Sequence, residues 1–212
     1  RFSFSQRLTV RVKVNSMASA KKITRPDVLS FDHYAAVRRE KKQAMTKAKK
    51  YRRMAVGPDA TFYFENYETM WHQVHEMLHI ERGGEDQISG ELAAYNPLIP
   101  QGRELVATVM FEIGDPVRRL NVLGALGGVE ETMYLALEGE WINGVAEADL
   151  DRTTEEGKAS SVQFVHFPFT DTQVSTFRDK TTRVMVGFDH PNYNHSAGIP
   201  ELVHAALIED FD

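Results

Sequence analysis

The sequence predicts an α+β fold: a single domain with a mostly antiparallel sheet flanked by helices, preceded by an extended basic arm. Three observations predict it. Runs of alternating apolar character over 105–113 and 161–169 read as half-buried strands. Apolar residues three and four apart, as at Trp71, Val74 and Leu78, read as helix. The two kinds of segment are interspersed without regular strand–helix–strand spacing, and no glycine-rich phosphate loop occurs. A chain of 212 residues fits one domain, here 22–212, with an arm over 1–21.

The elements follow in order. Thr24-Arg25-Pro26-Asp27 reads as a cap with proline near a first helical position. A long helix is expected from Ser30 or Asp32 to Tyr51, marked by Tyr34, Val37, Ala44 or Met45, and Ala48 and loaded with Lys and Arg. Gly57-Pro58-Asp59 is a turn between strands 53–56 and 61–65, so a hairpin is expected. Asn66 can cap a helix reaching Arg82, with Glu68 near the positive end of its dipole. Gly83-Gly84 breaks the chain before a short helix over 86–95.

Two prolines and a glycine then exclude helix over 95–102. Leu98 and Ile99 on that rigid turn must cover apolar surface of the body or serve as a contact for a partner. A strand over 105–113, a helix over 116–126 and a strand pair, 132–137 and 141–146, come next. After an acidic loop, 147–157, the chain reads as strand 161–169, helix 171–180, strand 183–188 and closing helix 200–210.

Charge is sharply divided. Residues 1–60 hold 16 of the 25 Lys and Arg and 4 of the 30 acidic residues; the remainder is correspondingly acidic, for a net charge of −5. The basic front is expected to pack on its own acidic body or on an acidic partner. Binding of nucleic acid or an anionic membrane is the disfavoured reading, because no groove-reading motif accompanies the charge. No apolar run approaches the roughly eighteen residues of a membrane helix. With no cysteine, the chain makes no disulfide, thiolate zinc site or cysteine nucleophile, and holds no iron–sulfur cluster on its own cysteines.

Two stretches carry candidate chemistry. His72, His75, Glu76 and His79 lie along one side of the central helix, and His75-Glu76-Met77-Leu78-His79 spells His-Glu-x-x-His. In a zinc hydrolase this spacing stacks two imidazoles on one metal and presents the glutamate to the metal-bound water. The context is poor for it: Glu81 stands two places after the second histidine, where such helices are apolar, and no third ligand follows at a recognised spacing. The alternative site is Asp189, His190 and His195, within seven residues of an expected loop that could hold a divalent metal. A structured turn that uses these side chains for its own hydrogen bonds is the competing reading.

The arm has no acidic residue over 1–20 and carries Phe2, Phe4, Arg7 and Arg11 with an alternating Val10, Val12, Val14. Its composition is that of an organellar transit sequence. It is also suited to attach to an acidic partner or to add a strand to a sheet edge.

Several stretches together resemble an uncharacterised bacterial family, domain of unknown function 3501. They are Lys22-Ile23-Thr24-Arg25 with Asp27, Arg52-Arg53 before Gly57-Pro58, Phe64-Glu65, Glu76-Met77-Leu78, Tyr95-Asn96-Pro97-Leu98-Ile99-Pro100, and Gly187 with Asp189-His190-Pro191, Tyr193 and His195. The resemblance covers about residue 22 to the end. It implies Gln in place of His75 and Arg in place of His79, so the zinc spelling departs from the family pattern. It also implies no established activity, and partnership with a rubrerythrin-like, ferritin-fold protein and an iron–sulfur oxidoreductase subunit. The resulting expectation is a non-catalytic accessory subunit of an electron-transfer assembly, holding no cofactor alone, with partner contacts at Phe2, Phe4, Arg7, Arg11, Leu98 and Ile99. It is mitochondrial, on the matrix side, if the arm is a processed transit sequence, and cytoplasmic otherwise. The alternative is a zinc hydrolase with Glu76 as base and His75 and His79 as ligands.

Overall fold

The computed structural model describes residues 20–147, 153 and 157–212. The arm residues Phe2, Phe4, Arg7 and Arg11 lie outside the described residues, as does most of the acidic loop over 147–157. Among the described residues nine strands form two sheets, and every pairing is antiparallel. The first sheet has the order β1 (Arg53–Val56), β2 (Ala60–Glu65), β3 (Glu104–Phe111), β7 (Val162–Pro168), β6 (Val145–Ala146). The second has the order β5 (Glu140–Asn143), β4 (Met133–Leu137), β8 (Val184–His190), β9 (Tyr193–Gly198).

The sheets pack face to face. Alternation sends Phe62, Phe64, Leu105, Ala107, Val109, Val165 and Phe167 of the first sheet inward against Met133, Leu135, Val186 and Phe188 of the second. Phe62 and Phe188 meet across the gap with ring centroids 5.1 Å apart. Three short helices, α4 (Pro116–Gly124), α5 (Asp171–Arg178) and α6 (Glu201–Ile208), add Leu123, Val174, Phe177, Val203 and Leu207 to this core.

The opposite face of the first sheet carries a helical layer: α1 (Phe31–Lys49), α2 (Tyr67–Glu81) and α3 (Glu85–Tyr95). Val106, one residue out of phase with Leu105 and Ala107, faces this layer and joins a second core with Tyr67, Met70, Val74, Ile88, Leu98 and Ile99. Leu98 and Ile99 are 2% and 1% exposed, so they cover the body's own apolar surface. This corrects the expectation that their side chains face a partner: both join the second core, the other of the two readings the sequence offers. Asn96 in the same turn holds the incoming chain, accepting from Ile23 N (2.7 Å) and donating to Ile23 O (3.0 Å).

Buried polar contacts bolt the elements together. Arg52 donates to the carbonyls of Phe64, Glu65 and Ala206 and pairs with Asp210, tying β1 and β2 to the end of α6. Burial pushes the Asp210 carboxyl up to about 6, with Arg52 opposing the rise.

Two expectations about elements change. The strand expected over 141–146 breaks at Gly144 and splits between the two sheets as β5 and β6. A Cβ at Gly144 would stand 2.5 Å from Val165 and 3.0 Å from the Met133 carbonyl, so only glycine lets the chain cross there. The loop expected at 189–195 is instead the β8–β9 hairpin. Among the described residues, no helix is long and apolar enough to cross a membrane.

Candidate functional site in the helical layer

Helix α2 begins as its sequence dictates. Asn66 Oδ1 accepts from Thr69 N at 3.0 Å, and Thr69 Oγ1 accepts from Asn66 N at 2.9 Å, a reciprocal cap. Periodicity then turns Met70 and Val74 to the sheet and His72, His75, Glu76 and His79 toward α1. On that side the polar groups of His75 and Glu76 are all engaged by neighbours.

The Nδ1–H of His75 donates to Trp71 O at 2.7 Å, and its Nε2 accepts from Leu29 N at 2.9 Å. The imidazole is 1% exposed, and burial holds its pKa below the usual value, so it is a neutral strut with no lone pair left for a metal. Glu76 receives a two-point contact from Arg38, Nε to Oε1 and Nη2 to Oε2, both 2.8 Å. It also accepts from Tyr34 Oη at 2.8 Å. Those bonds, Arg38 first, hold its carboxyl down to about 2, which unsuits it as a base. His72 Nδ1–H completes the relay by donating to Tyr34 Oη at 3.2 Å. His79 stacks on Phe31 with centroids 4.9 Å apart and an interplanar angle of 11°; its Nδ1 is buried without a hydrogen-bond partner among the described residues.

The expected zinc site with ligands His75 and His79 and base Glu76 therefore does not fit this arrangement. A metal on His75 would have to break a buried backbone contact. Among the described residues no group of three His, Cys, Asp or Glu stands ready to hold a metal ion.

Asp189, His190 and His195 do not converge either. Asp189 and His190 are consecutive in β8 and point to opposite faces. His190 donates from Nε2 to Gly127 O and accepts at Nδ1 from Asn192 N, both at 3.2 Å, while Asp189 accepts from Asn194 Nδ2 at 3.0 Å. His195 lies beside Tyr193 against Gly57, where any Cβ would come within 2.8 Å of both side chains. Tyr193 Oη accepts from Asp59 N and Ala60 N and donates to Val56 O, all at 2.9 Å. The motif is a clasp on the β1–β2 turn.

Sequence reasoning missed the cavity beside the histidines. About 430 Å³ opens between the N-terminus of α1, the last turns of α2 and the start of α3. Leu29, Phe31, Leu78 and Ile88 line it with the rings of Tyr34, His75 and His79, and Arg82 stands at the mouth. The available signal was Leu29 and Phe31 flanking the Ser30 cap: two large apolar residues at a helix start, with nothing in the sequence to cover both.

The chain carries a further surface. Helix α1 buries only Tyr34 and Met45 of its 19 residues. Arg39, Lys41, Lys42, Lys47 and Lys50 are exposed, and Arg38 makes the helix's ion pair to the body.

A crystal structure of a protein of unknown function from Burkholderia pseudomallei K96243 has the same fold, with TM-score 0.83 and 34% identity, covering 90% of this chain and 100% of that one. No curated protein matches. The family described as "Protein of unknown function (DUF3501)" matches residues 22–211, and the chain belongs to it.

Proposed function

We propose that this chain is a non-catalytic accessory subunit that docks an acidic partner through the exposed basic face of α1. The observation that carries the reading is the mismatch on that helix between cations presented and cations used. Lys21, Arg25, Arg38 and Arg52 are each paired with a carboxylate of the body, so the basic front is partly neutralised internally. Arg39, Lys42 and Lys47 are exposed, and among the described residues no carboxylate lies within ion-pair distance of them. A long helix with so little burial is held mainly at Tyr34, Met45 and the Arg38–Glu76 pair, and leaves most of its length for a partner. The partner class follows from the family resemblance: an iron–sulfur oxidoreductase subunit and a ferritin-fold, rubrerythrin-like protein. The zinc-hydrolase alternative is not favoured, since Glu76 and His75 are spent on the fold.

The test is affinity purification from a native source, comparing the wild type with a triple variant, Arg39→Glu, Lys42→Glu and Lys47→Glu. The expected result is near-stoichiometric recovery of iron-containing partner chains with the wild type, weakened by salt and lost in the variant at an unchanged melting temperature. Recovery of the same chains by the variant would overturn the docking face. Recovery of the wild type alone would overturn the subunit reading.

A further inference from the structure

We propose that the cavity between α1, α2 and α3 is a binding site for a planar aromatic carboxylate. Its volume, about 430 Å³, lies within the range of small-molecule pockets. Its walls are ring faces: Phe31 and His79 are stacked in parallel, Tyr34 meets His75 at 4.8 Å, and Leu78 and Ile88 complete the lining. The polar atoms of Tyr34 and His75 are consumed by Glu76, Trp71 and Leu29, so these two residues turn only carbon toward a ligand. Aromatic guests gain from offset and edge contacts with such rings. Phe31 is 46% exposed and Leu29 36%, leaving apolar surface that a guest would cover.

The mouth supplies the charge preference. The Glu85 carboxylate is taken by a two-point contact from Arg25, Nη2 to Oε2 at 2.8 Å. Arg82 lies 5.7 Å from the Phe31 ring centroid and, among the described residues, has no carboxylate partner. Arg82 occupies the left-handed C-cap of α2 at φ +56°, although two glycines follow it. That conformation lays its guanidinium beside the cavity, where its planar fork suits a carboxylate. The start of α3 at Gly84 borders the same mouth; of the two acidic residues in its first turn, Glu85 lines the cavity and is the one Arg25 neutralises, while Asp86 is not among the lining residues.

Titration calorimetry with three probes sharing one ring tests this: 2-naphthoate, 2-naphthylmethanol and 2-naphthylmethylammonium. The acid is expected to bind about tenfold more tightly than the alcohol, and the amine most weakly. Arg82→Gln should bring the acid down to the alcohol's affinity without changing the alcohol. Phe31→Ala should weaken acid and alcohol by similar factors. Both side chains are exposed, so a thermal melt should show each variant folded. Equal affinity of the three probes, an unchanged acid in Arg82→Gln, or no saturable binding of any probe to the wild type would overturn the proposal.

Discussion

The two layers of this molecule solve their polar and apolar obligations differently. In the sandwich, aromatic rings from facing sheets interlock, and Tyr193 satisfies three backbone groups with one hydroxyl. The helical layer is held by fewer apolar contacts and by a polar relay, His72–Tyr34–Glu76–Arg38. It leaves a cavity, an exposed phenylalanine, an arginine without a carboxylate partner among the described residues, and a basic helix largely in solvent. On the helical side an open cavity and an exposed basic helix therefore lie in one layer.

The sharpest way to break that contrast is to attack the second core at its lid. Leu98→Ser with Ile99→Ser removes two fully buried side chains, each contributing about 1.5–3 kcal/mol, so about 3–6 kcal/mol should be lost. If the layers are distinct, amide exchange should show α2 and α3 opening while β2, β3 and β8 keep protection. Uniform loss of protection would mean one cooperative unit.

Glu76→Gln comes next, with an expected loss of about 1.5–3 kcal/mol from the charge-assisted bonds to Arg38. The folded carboxyl is held at about 2 against an ordinary 4.5. Its contribution is therefore complete above 4.5 and fades as pH falls toward 2. Acid unfolding of the wild type should show that fade in the helical layer, and Glu76→Gln should lack it. Tyr193→Phe strands the N–H groups of Asp59 and Ala60 and should cost the sandwich about 1–3 kcal/mol, seen in denaturant melts.

The smallest effect concerns His166, which bridges Glu104 at 2.9 Å and Glu147 at 2.9 Å. Glu104, then Glu147, raises its pKa above the ordinary 6.5 against the opposing effect of burial. This stabilisation is fully present below 6.5 and is lost as pH rises through the raised folded value. His166→Gln should flatten that part of the stability–pH curve by about 1 kcal/mol or less.

Much of this was legible in the sequence. The Asn66 cap, the α2 stripe, the β1–β2 hairpin and the α+β class all rest on local rules, and the structure obeys them. The β8–β9 hairpin was hidden because Asp189-His190-Pro191-Asn192 reads as polar loop, while Tyr193 and His195 alternate too briefly to signal a strand. The split at Gly144 depends on contact with Val165, which no local pattern encodes. The histidines of α2 were visible but their roles were not. Partners at Leu29 and Tyr34 lie about forty residues earlier in the chain, and spacing along one helix says nothing of them.

One substitution separates strut from ligand. Glutamine, which the family resemblance implies at position 75, offers an NH2 donor group and a carbonyl acceptor, and so can replace both the bond to Trp71 O and the bond from Leu29 N. Titrating zinc into chelator-washed wild type and His75→Gln measures the difference directly. Weak binding of the same affinity in both proteins is the expected result. Tight one-to-one zinc binding in the wild type that disappears in His75→Gln would contradict it.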